Sequence, residues 1–211
     1  MMSFGNAAAS ANGYRVDITR DPDDIDEAQR FRAKRFGLAR ARDADGFDPA
    51  CEHILIRDVG SNALVCCFRI LPVCAADIPK SYAARHYDLT ALRRFEGQML
   101  ELGRFCIDSG WRDPDVLRLA WATLTAVVDA RQIKLLFGCS SCTGTDPVRY
   151  QDAFAYLREY ARAPCNWAPK RRSCETVCFA GPAAAPPDRK RAFRQMPPLL
   201  RSYIGMGGWV S

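Results

Sequence analysis

Residues 98–112 have the sequence QMLELGRFCIDSGWR, and the signals that follow this segment decide the fold class. The largely apolar run Gln98–Ile107 predicts a β-strand. Asp113 and Pro114 then supply a helix N-cap and the proline typical of a first helical position, and apolar residues recur at helical spacing up to residue 130. A short apolar strand is predicted next, at 133–137. A strand, a helix and a strand in this order predict an α/β fold.

The flanking sequence adds elements of both kinds. Two further helices are predicted to begin at Asp21-Pro22 and Asp146-Pro147, because each pair repeats the cap-and-proline signal. The other predicted segments are strands at Tyr14–Thr19, His53–Arg57, Ala63–Leu71 and Glu175–Phe179, an irregular or short-helical stretch over residues 75–95, a Pro/Ala-rich linker over 180–187, and a basic stretch over 189–204 that Pro197-Pro198 interrupts. This order predicts one domain with a mixed central sheet over residues 14–211, preceded by a disordered tail at 1–13.

Composition supports a folded, cytoplasmic protein. The chain has 211 residues, of which 48% are hydrophobic and 26% charged, and these values are typical of a globular domain with its own core. The N-terminal residues lack the basic and apolar regions of a secretion signal, and no apolar run approaches the length of a membrane span. The ten cysteines have no regular spacing, which indicates free thiols in a reducing compartment.

Charge is concentrated in the C-terminal third. Residues 149–211 contain eleven Lys and Arg against four Asp and Glu, a net charge of +7, whereas the whole chain carries +6. Such a surface favours an acidic partner, namely nucleic acid, anionic lipid or an acidic carrier protein. The alternative is a solvated surface with no partner.

Glu101 and Arg104 are the first candidate site residues. Strand alternation predicts that Glu101 and Gly103 share one face of the sheet, and that Leu102 and Arg104 share the other. A glutamate inside an apolar strand is costly unless it is paired or functional. Glu101 is therefore either a general base or one half of a structural Glu–Arg pair.

An acidic loop supplies the second set of candidates. Asp43, Asp45 and Asp48 lie in the turn-rich segment DADGFDPA, and Arg69 interrupts the following apolar strand. An inward-facing arginine needs an anionic partner, which is either one of these carboxylates or a carboxylate of the substrate. Aspartates in turns also serve simply to accept backbone hydrogen bonds.

Three further interpretations of the sequence remain open, namely a zinc site, a cysteine nucleophile and a nucleic-acid site. The cysteines Cys139, Cys142, Cys174 and Cys178 provide four thiolates for a zinc site, although the second pair is spaced too widely for most such sites. A cysteine nucleophile would need His53 or His86 as its base. A single-stranded nucleic acid site would use the basic clusters with their aromatic neighbours, which are Lys170-Arg171-Arg172, Arg189-Lys190-Arg191, Arg194, Trp167 and Phe193.

Several blocks of the sequence together resemble the L-ornithine N-alpha-acyltransferases, which make lyso-ornithine lipid from ornithine and a 3-hydroxyacyl carrier protein. The blocks are ELGRFCIDSGWR from Glu101, FGCSSCTGTDP from Phe137, MPPLLRSYIGMGGWV from Met196, DADGFDPACEHILI from Asp43, FRILP from Phe68 and YDLTALRRF from Tyr87. They run in order over about Tyr14 to Val210. This family is GNAT-like and is similar to the acyl-homoserine-lactone synthases, which share the acidic loop, the following Arg and the E-x-x-R strand.

The resemblance implies a GNAT fold, in which two neighbouring parallel strands splay apart and hold the acyl-pantetheine arm in the gap. These strands are expected at 98–107 and 133–137, and the expected channel residues are Phe105, Cys106, Gly138, Cys139 and Ser140. Enzymes of this fold that use coenzyme A carry a Gly-rich turn whose N–H groups bind pyrophosphate. Here Asp113, Pro114 and Asp115 stand in that turn, which favours an acyl carrier protein donor.

The expected reaction is aminolysis of a thioester, with Glu101 as the base and Arg104 as its organising partner. Asp45, Asp48 and Arg69 are expected to bind the amino acid, backbone N–H groups of the 101–107 strand to stabilise the oxyanion, and Lys170, Arg171 and Arg172 to contact the acidic carrier protein. No metal and no resident cofactor are expected, because the phosphopantetheine arrives on the donor. Peripheral contact with an anionic membrane at its inner face is a further expectation, and nucleic acid is not expected as a partner.

Two alternatives accompany this hypothesis. One is a synthase of another N-acyl amino acid or of an acyl-homoserine lactone, which differs in its amine acceptor. The other is a truncated, non-catalytic protein that still binds carrier protein. This second alternative arises because the resemblance implies a final strand beyond Gly207-Gly208-Trp209-Val210, while the sequence ends at Ser211.

Overall fold

The computed structural model describes residues 9–177 and 186–211. The strands are β1 (Ala9–Ala11), β2 (Tyr14–Thr19), β3 (Glu52–Asp58), β4 (Leu64–Val73), β5 (Tyr87–Asp88), β6 (Gln98–Ile107), β7 (Ile133–Phe137) and β8 (Lys170–Arg171). The helices are α1 (Pro22–Arg35), α2 (Pro114–Ala130), α3 (Gln151–Tyr160), α4 (Arg189–Gln195) and α5 (Pro198–Gly205). Short 3₁₀ turns occur at Asp48–Ala50, Ala75–Lys80, Ala83–Arg85, Thr90–Arg94 and Pro147–Tyr150.

The described chain forms two compact units. The first contains the residues up to Asp77 together with Glu96–Gly138, and the second contains Ile78–Phe95 together with Cys139–Ser211. The single domain predicted over residues 14–211 stays a prediction.

The first unit is built on a six-stranded sheet with the order β1-β2-β3-β4-β6-β7. Its neighbouring strands pair antiparallel except for β6 and β7, which are parallel, so the predicted mixed sheet is confirmed. Helix α1 covers one face, where Ala28 packs with Leu55 and Cys67. Helix α2 covers the other face, where the Trp121 ring stacks on Phe105.

Both covering helices begin as the sequence predicted. The side chain of Asp21 accepts the N–H of Asp23 at 2.9 Å, and the side chain of Asp113 accepts the N–H of Asp115 at 2.8 Å. In each helix a proline follows the cap, at a position whose N–H has no intrahelical partner. The third signal, at Asp146-Pro147, begins a 3₁₀ turn that continues directly into α3.

The parallel pairing of β6 with β7 ends at a defined point. Their last paired residues are Glu101 and Phe137, where β7 ends, whereas β6 continues to Ile107. Immediately beyond, a Cβ atom added to Gly138 would lie 2.2 Å from the Leu102 carbonyl oxygen. The close backbone approach at the end of β7 therefore requires glycine at position 138.

The second unit packs α3, α4 and α5 around a small apolar cluster of its own, whose members include Tyr156, Leu157, Met196 and Leu200. A two-stranded ladder of β5 and β8 belongs to the same unit. None of the helices within residues 9–177 and 186–211 combines the length and the apolar character that crossing a lipid bilayer requires.

Two expectations about local structure were wrong. In the tail predicted to be disordered over residues 1–13, Ala9–Ala11 form strand β1, because Asn12 and Gly13, with φ of 52° and 80°, make a two-residue hairpin turn. The part of this prediction that concerns residues 1–8 lies outside the described residues. Residues 175–177 form no strand, and the Glu175 N–H instead donates to the Ser173 hydroxyl at 3.2 Å in a local turn. The rest of the predicted strand and most of the predicted linker, residues 178–185, lie outside the described residues.

Replacement of Gly138 tests the approach of the two parallel strands. We expect Gly138→Ala to destabilise the protein by about 1–3 kcal/mol, because the new methyl group meets backbone rather than a movable side chain. Gly205→Ala is the control, since nothing lies within 4 Å of its Cβ position and its φ is not positive. Urea unfolding measures both variants, and equal stabilities would contradict the predicted clash.

Candidate active site

Glu101 lies on β6, the strand next to the edge strand β7, and is 4% exposed. It is opposite Leu71 of β4 on one side and Phe137 of β7 on the other, so it occupies the point where the pairing of β6 with β7 ends. Cys51 is close enough for the charge of Glu101 to act on its thiol. The carboxylate is thus buried at the end of the parallel pairing of β6 with β7.

Arg69 crosses the same face of the sheet. It pairs with Gly103, and its Nε atom lies 3.7 Å from the position that a Gly103 Cβ would occupy. From this position the guanidinium extends along the sheet to the acidic loop. There it donates to Asp45 at 2.6 and 2.8 Å and to Asp48 at 2.6 Å. Of the two anionic partners considered for this arginine, the structure provides the loop carboxylates.

Arg104 lies on a β-bulge, and its predicted orientation was wrong. Gly103 pairs with Arg69 and Cys106 pairs with Cys67, so two residues of β6 stand opposite the single residue Phe68 of β4. The extra residue, Arg104, adopts a left-handed conformation with φ of 56°.

The bulge interrupts strand alternation and brings Arg104 to the same loop as Arg69. Its Nε lies 2.8 Å from Asp43, and its Nη2 donates to Asp45 at 3.0 Å. A left-handed conformation for a non-glycine residue costs on the order of 1–3 kcal/mol, and such residues cluster at functional sites.

Arg32 of α1 is a third arginine that contacts the acidic loop, and its role was not predicted from the sequence. Its Nη2 lies 2.9 Å from both carboxylate oxygens of Asp48, and its Nε lies 3.3 Å from Asp43. The side chain is 1% exposed. Arg32 follows the buried Ala28 by one helical turn, so helical spacing places it on the buried face of α1. A charged residue at such a position indicates a buried ion pair, and this signal was present in the sequence.

Three aspartates and three arginines therefore form one buried network. Burial alone would raise the pKa of Asp45, but the hydrogen bond and charge of Arg69 outweigh it and lower this pKa to about 2. For Asp48, burial likewise opposes ionisation and is outweighed by Arg32 and then Arg69, so its pKa also lies below the usual value. Both carboxylates are thus anionic at neutral pH and held by arginine.

Exposure divides the network into two layers. The side chains of Arg32, Arg69, Asp43 and Asp48 are all 4% exposed or less. Those of Asp45 and Arg104 are 16% and 20% exposed. A small molecule from solution thus reaches Asp45 and Arg104 before the other members of the network.

His53 and Cys51 lie beneath the loop, and neither is suited to nucleophilic catalysis. The His53 Nε2 atom lies 3.1 Å from the Asp48 carbonyl oxygen, so it carries the proton and donates it. Burial lowers the pKa of His53 and raises the pKa of the Cys51 thiol to about 11. A neutral histidine engaged with backbone and a protonated thiol do not form a nucleophile–base pair.

The start of α2 uses its own backbone donors. Asp113 accepts the N–H of Asp115, and Asp108 accepts the N–H of Gly110 at 2.8 Å. The N–H groups of Trp111 and Val116 donate to carbonyl oxygens of the same turn, at 3.0 and 3.3 Å, and Pro114 has no N–H. The Asp113 carboxylate also accepts the Tyr14 hydroxyl at 2.7 Å. Backbone donors that hold pyrophosphate in coenzyme A enzymes are therefore largely engaged here.

The expected channel residues occupy several environments. Phe105 stacks on Phe68 with ring centroids 4.9 Å apart, on the α2 face. Cys106 is buried in the core of the α1 face, with its sulfur 3.7 Å from that of Cys67. Cys139 and Ser140 are exposed and belong to the second unit, as do Lys170, Arg171 and Arg172. The geometry joins Glu101 with Arg69, Arg104 and the acidic loop, and it assigns Cys106 a packing position.

The cysteine constellation has no counterpart in the described chain. Outside residues 1–8 and 178–185, no group of three or more His, Cys, Asp or Glu side chains is arranged to hold a metal ion. Cys178, the fourth thiol of the zinc alternative, lies in the second of these segments. His86 packs against the Tyr82 ring, with centroids 5.0 Å apart.

Comparison with known proteins adds family relationships to this geometry. The sequence model of the acetyltransferase (GNAT) domain matches residues 27–122. The L-ornithine N(alpha)-acyltransferase of Rhodobacter capsulatus is 31% identical over 220 residues, which cover 96% of this chain and 84% of that protein. The enzymes of the same name from Rhizobium meliloti and Brucella abortus are 28% and 27% identical, with 92% and 87% of this chain covered and 72% and 68% of theirs.

Two solved structures are similar at lower identity. The acyl-homoserine-lactone (AHL) synthase LasI is 20% identical, with a TM-score of 0.45 over 64% of this chain and 72% of that chain. FeeM, an N-acyl amino acid synthase from uncultured soil microbes, is 18% identical, with a TM-score of 0.42 over 58% of this chain and 70% of that chain.

Two arginines that contact Asp43 differ in burial, and this difference predicts their effects on stability. We expect Arg32→Met to destabilise the protein by about 3–5 kcal/mol, because it removes a buried cation from Asp43 and Asp48 and leaves their negative charge only partly compensated. Arg40 also contacts Asp43, at 2.9 Å, but is 59% exposed, so Arg40→Met should cost less than about 1 kcal/mol. Chemical denaturation measures the free energy of unfolding of both variants. Equal losses of stability would contradict a buried network centred on Arg32.

Proposed function

Because the chain belongs to the L-ornithine N(alpha)-acyltransferase family and carries its GNAT fold, we propose that it transfers a 3-hydroxyacyl group from acyl carrier protein to the α-amine of L-ornithine. The product is lyso-ornithine lipid, and the leaving group is the pantetheine thiol of the carrier. The observation that carries the proposal is the buried carboxylate of Glu101 at the point where the pairing of two parallel strands ends.

The chemical difficulty of the reaction is the acceptor amine, which is mostly protonated near neutral pH and must lose a proton before it attacks the thioester. Glu101 is the proposed base, acting directly or through one water molecule. Backbone N–H groups along the 101–107 strand are proposed to stabilise the tetrahedral oxyanion, and the thiolate then leaves. Neither a metal ion nor a covalent enzyme intermediate is part of this proposal.

The amino acid is proposed to bind at the exposed layer of the arginine–aspartate network. Arg104 is proposed to contact the substrate carboxylate and Asp45 the substrate ammonium group, because they are the partly exposed members of the network and each can add such a contact to the ion pairs that it already makes. Asp48 and Arg69 were expected to contact the substrate as well. Their burial favours a role one layer below, where they hold Asp45 and the loop in place.

An acyl carrier protein is the proposed donor because backbone N–H groups at the N-terminus of α2 are already engaged. Anionic Asp113 caps this helix and repels pyrophosphate, so coenzyme A would gain little there. The pantetheine arm is proposed to lie along β6 beyond Glu101, with Phe105 and Gly138 of the first unit as its neighbours. The expected roles of Cys139 and Ser140, which belong to the second unit, stay predictions. Cys106 is less suited to this role, since it is buried within the core.

The second unit offers the proposed contacts with acidic partners. Lys170, Arg171 and Arg172 are exposed, and β8 is paired with β5, which fixes the backbone that carries them. This strand is the proposed docking site for the carrier protein. The protein is further proposed to be cytoplasmic and to contact the anionic inner face of the membrane, to which its lipid product partitions.

Glu101→Gln tests the base. The wild-type protein should release thiol from 3-hydroxyacyl carrier protein only when L-ornithine is present, with a lyso-ornithine lipid mass in the product. Glu101→Gln should lower kcat about 10²- to 10⁴-fold while carrier binding survives, because the amide keeps the shape but accepts no proton. Glu96→Gln, an exposed glutamate just before β6, should leave turnover unchanged.

Three results would contradict this assignment. Full activity of Glu101→Gln would remove Glu101 from the role of base. Thiol release with another amine, but not with ornithine, would point to a different N-acyl product. Carrier binding by the wild-type protein without release for any amine would indicate a non-catalytic carrier-binding protein.

Reversal of charge on β8 tests the docking site. Lys170→Glu combined with Arg171→Glu should raise KM for the carrier-protein donor about tenfold or more, because the acidic carrier is then repelled. The KM for a small pantetheine thioester should stay constant, since that donor reaches only the channel. A parallel rise in both KM values would show that β8 acts on the channel and not on the carrier.

A further inference from the structure

The turn that follows α5 presents two large apolar side chains to solvent. Met206 is 58% exposed and Trp209 is 56% exposed. The backbone between them is fixed, because the Gly208 N–H donates to the Tyr203 carbonyl at 2.8 Å and Gly207 has a left-handed φ of 85°. A Cβ on Gly208 would lie 2.7 Å from that carbonyl oxygen, so the turn depends on glycine there. The exposure of Met206 and Trp209 thus belongs to an ordered turn.

A second exposed aromatic residue borders the same turn. Val210 forms a parallel bridge with Arg162: its N–H donates to Ala161 at 2.7 Å, and its carbonyl accepts from Ala163 at 2.9 Å. Tyr160, which immediately precedes Ala161, is 59% exposed. The bridge therefore brings the chain at Tyr160 next to the chain at Trp209.

Arginines are interleaved with these aromatic side chains. The Arg189 guanidinium stacks over the rings of Tyr156 and Tyr160, at 5.7 and 5.8 Å from their centroids, and Arg162 at the bridge is exposed. Residues 186–211 contain five Lys and Arg against one Asp. We call the set Tyr160, Arg162, Arg189, Met206 and Trp209 the C-terminal surface.

We propose that the C-terminal surface binds the headgroup region of an anionic lipid bilayer, with Trp209, Met206 and Tyr160 entering the interface and the arginines contacting lipid phosphates. Tryptophan and tyrosine are the residues that favour the boundary between hydrocarbon and water, and basic side chains gain from the negative potential of anionic lipid. Single exposed apolar side chains need no explanation, but here three lie on adjoining, ordered backbone among arginines.

A bilayer uses both features of this surface. Anionic headgroups pair with the arginines, and the boundary between hydrocarbon and water accepts Trp209 and Met206. The inference rests on the proposed function in one respect, since an acylated ornithine partitions into membrane and a docked enzyme releases it there.

Vesicle flotation of the full chain tests the proposal without any substrate. The wild-type protein should bind vesicles of phosphatidylglycerol and phosphatidylethanolamine and should bind phosphatidylcholine vesicles much less, with binding that weakens as salt rises. Trp209→Ser combined with Met206→Ser should lower the partition coefficient about tenfold or more, because apolar area no longer enters the interface. Arg162→Gln should lower it about fivefold.

Val148→Ser is the matched control, since Val148 is 62% exposed in the same unit but lies outside the C-terminal surface. It should bind anionic vesicles as the wild-type protein does. All variants should keep their turnover with soluble donor and ornithine in the absence of vesicles, which separates this inference from the proposed reaction. Absence of turnover in every protein, wild type included, would contradict the proposed function. The vesicle-binding results would still test the membrane proposal, because they need no substrate.

Three outcomes would overturn the inference. The first is a wild-type protein that does not bind anionic vesicles, and the second is a Trp209/Met206 double variant that binds as the wild type does. The third is a double variant with unchanged vesicle binding but a raised KM for carrier protein alone, which would make the C-terminal surface a carrier-protein site.

Discussion

Three arginines from three different elements converge on the aspartates of one loop, and the geometry of the site depends on this pairing. Arg32 comes from α1, Arg69 from β4 and Arg104 from β6, and each contacts at least one of Asp43, Asp45 and Asp48. Buried charges are tolerated only when they are paired with good geometry, so each arginine constrains the others through the shared carboxylates. The loop thereby connects helix α1 to strand β4 and to strand β6, which carries Glu101.

The bulge at Arg104 follows from the same constraint. Regular alternation would have directed this side chain to the α2 face, where Phe68, Phe105 and Trp121 stack and no carboxylate partner is described. One extra residue in β6 returns the guanidinium to the loop at the cost of a left-handed backbone, and two ion pairs offset that cost. The strained residue lies next to the proposed base, so the feature that breaks the strand pattern also shapes the site.

Local signals in the sequence predicted elements more reliably than they predicted side-chain direction. The strand at 98–107 and the helices after Asp21-Pro22 and Asp113-Pro114 are confirmed, because caps, proline and apolar periodicity act over a few residues. The face of Arg104 was wrong, since a bulge is defined by pairing with a strand far away in sequence. Arg32 was missed for a related reason, because its partners follow it at Asp43 and Asp48 across a loop. The hairpin at Asn12-Gly13 could have been predicted, since that dipeptide is a strong turn signal.

The arrangement of charge separates the two ends of the proposed reaction. In the first unit Arg32, Arg69 and Arg104 are matched by aspartates and are largely buried, so their network contributes structure and local polarity more than long-range attraction. In the second unit the basic side chains of β8 and of residues 186–211 greatly outnumber their acidic neighbours and remain exposed. Exposed charge acts over about a Debye length and is weakened by salt, whereas buried pairs are screened much less. This distribution of charge supports the proposal that the second unit recognises large anionic partners and that the first carries out the acceptor chemistry. The self-capped start of α2 supports the proposed carrier-protein donor in the same way, because its engaged backbone donors offer little to a pyrophosphate group.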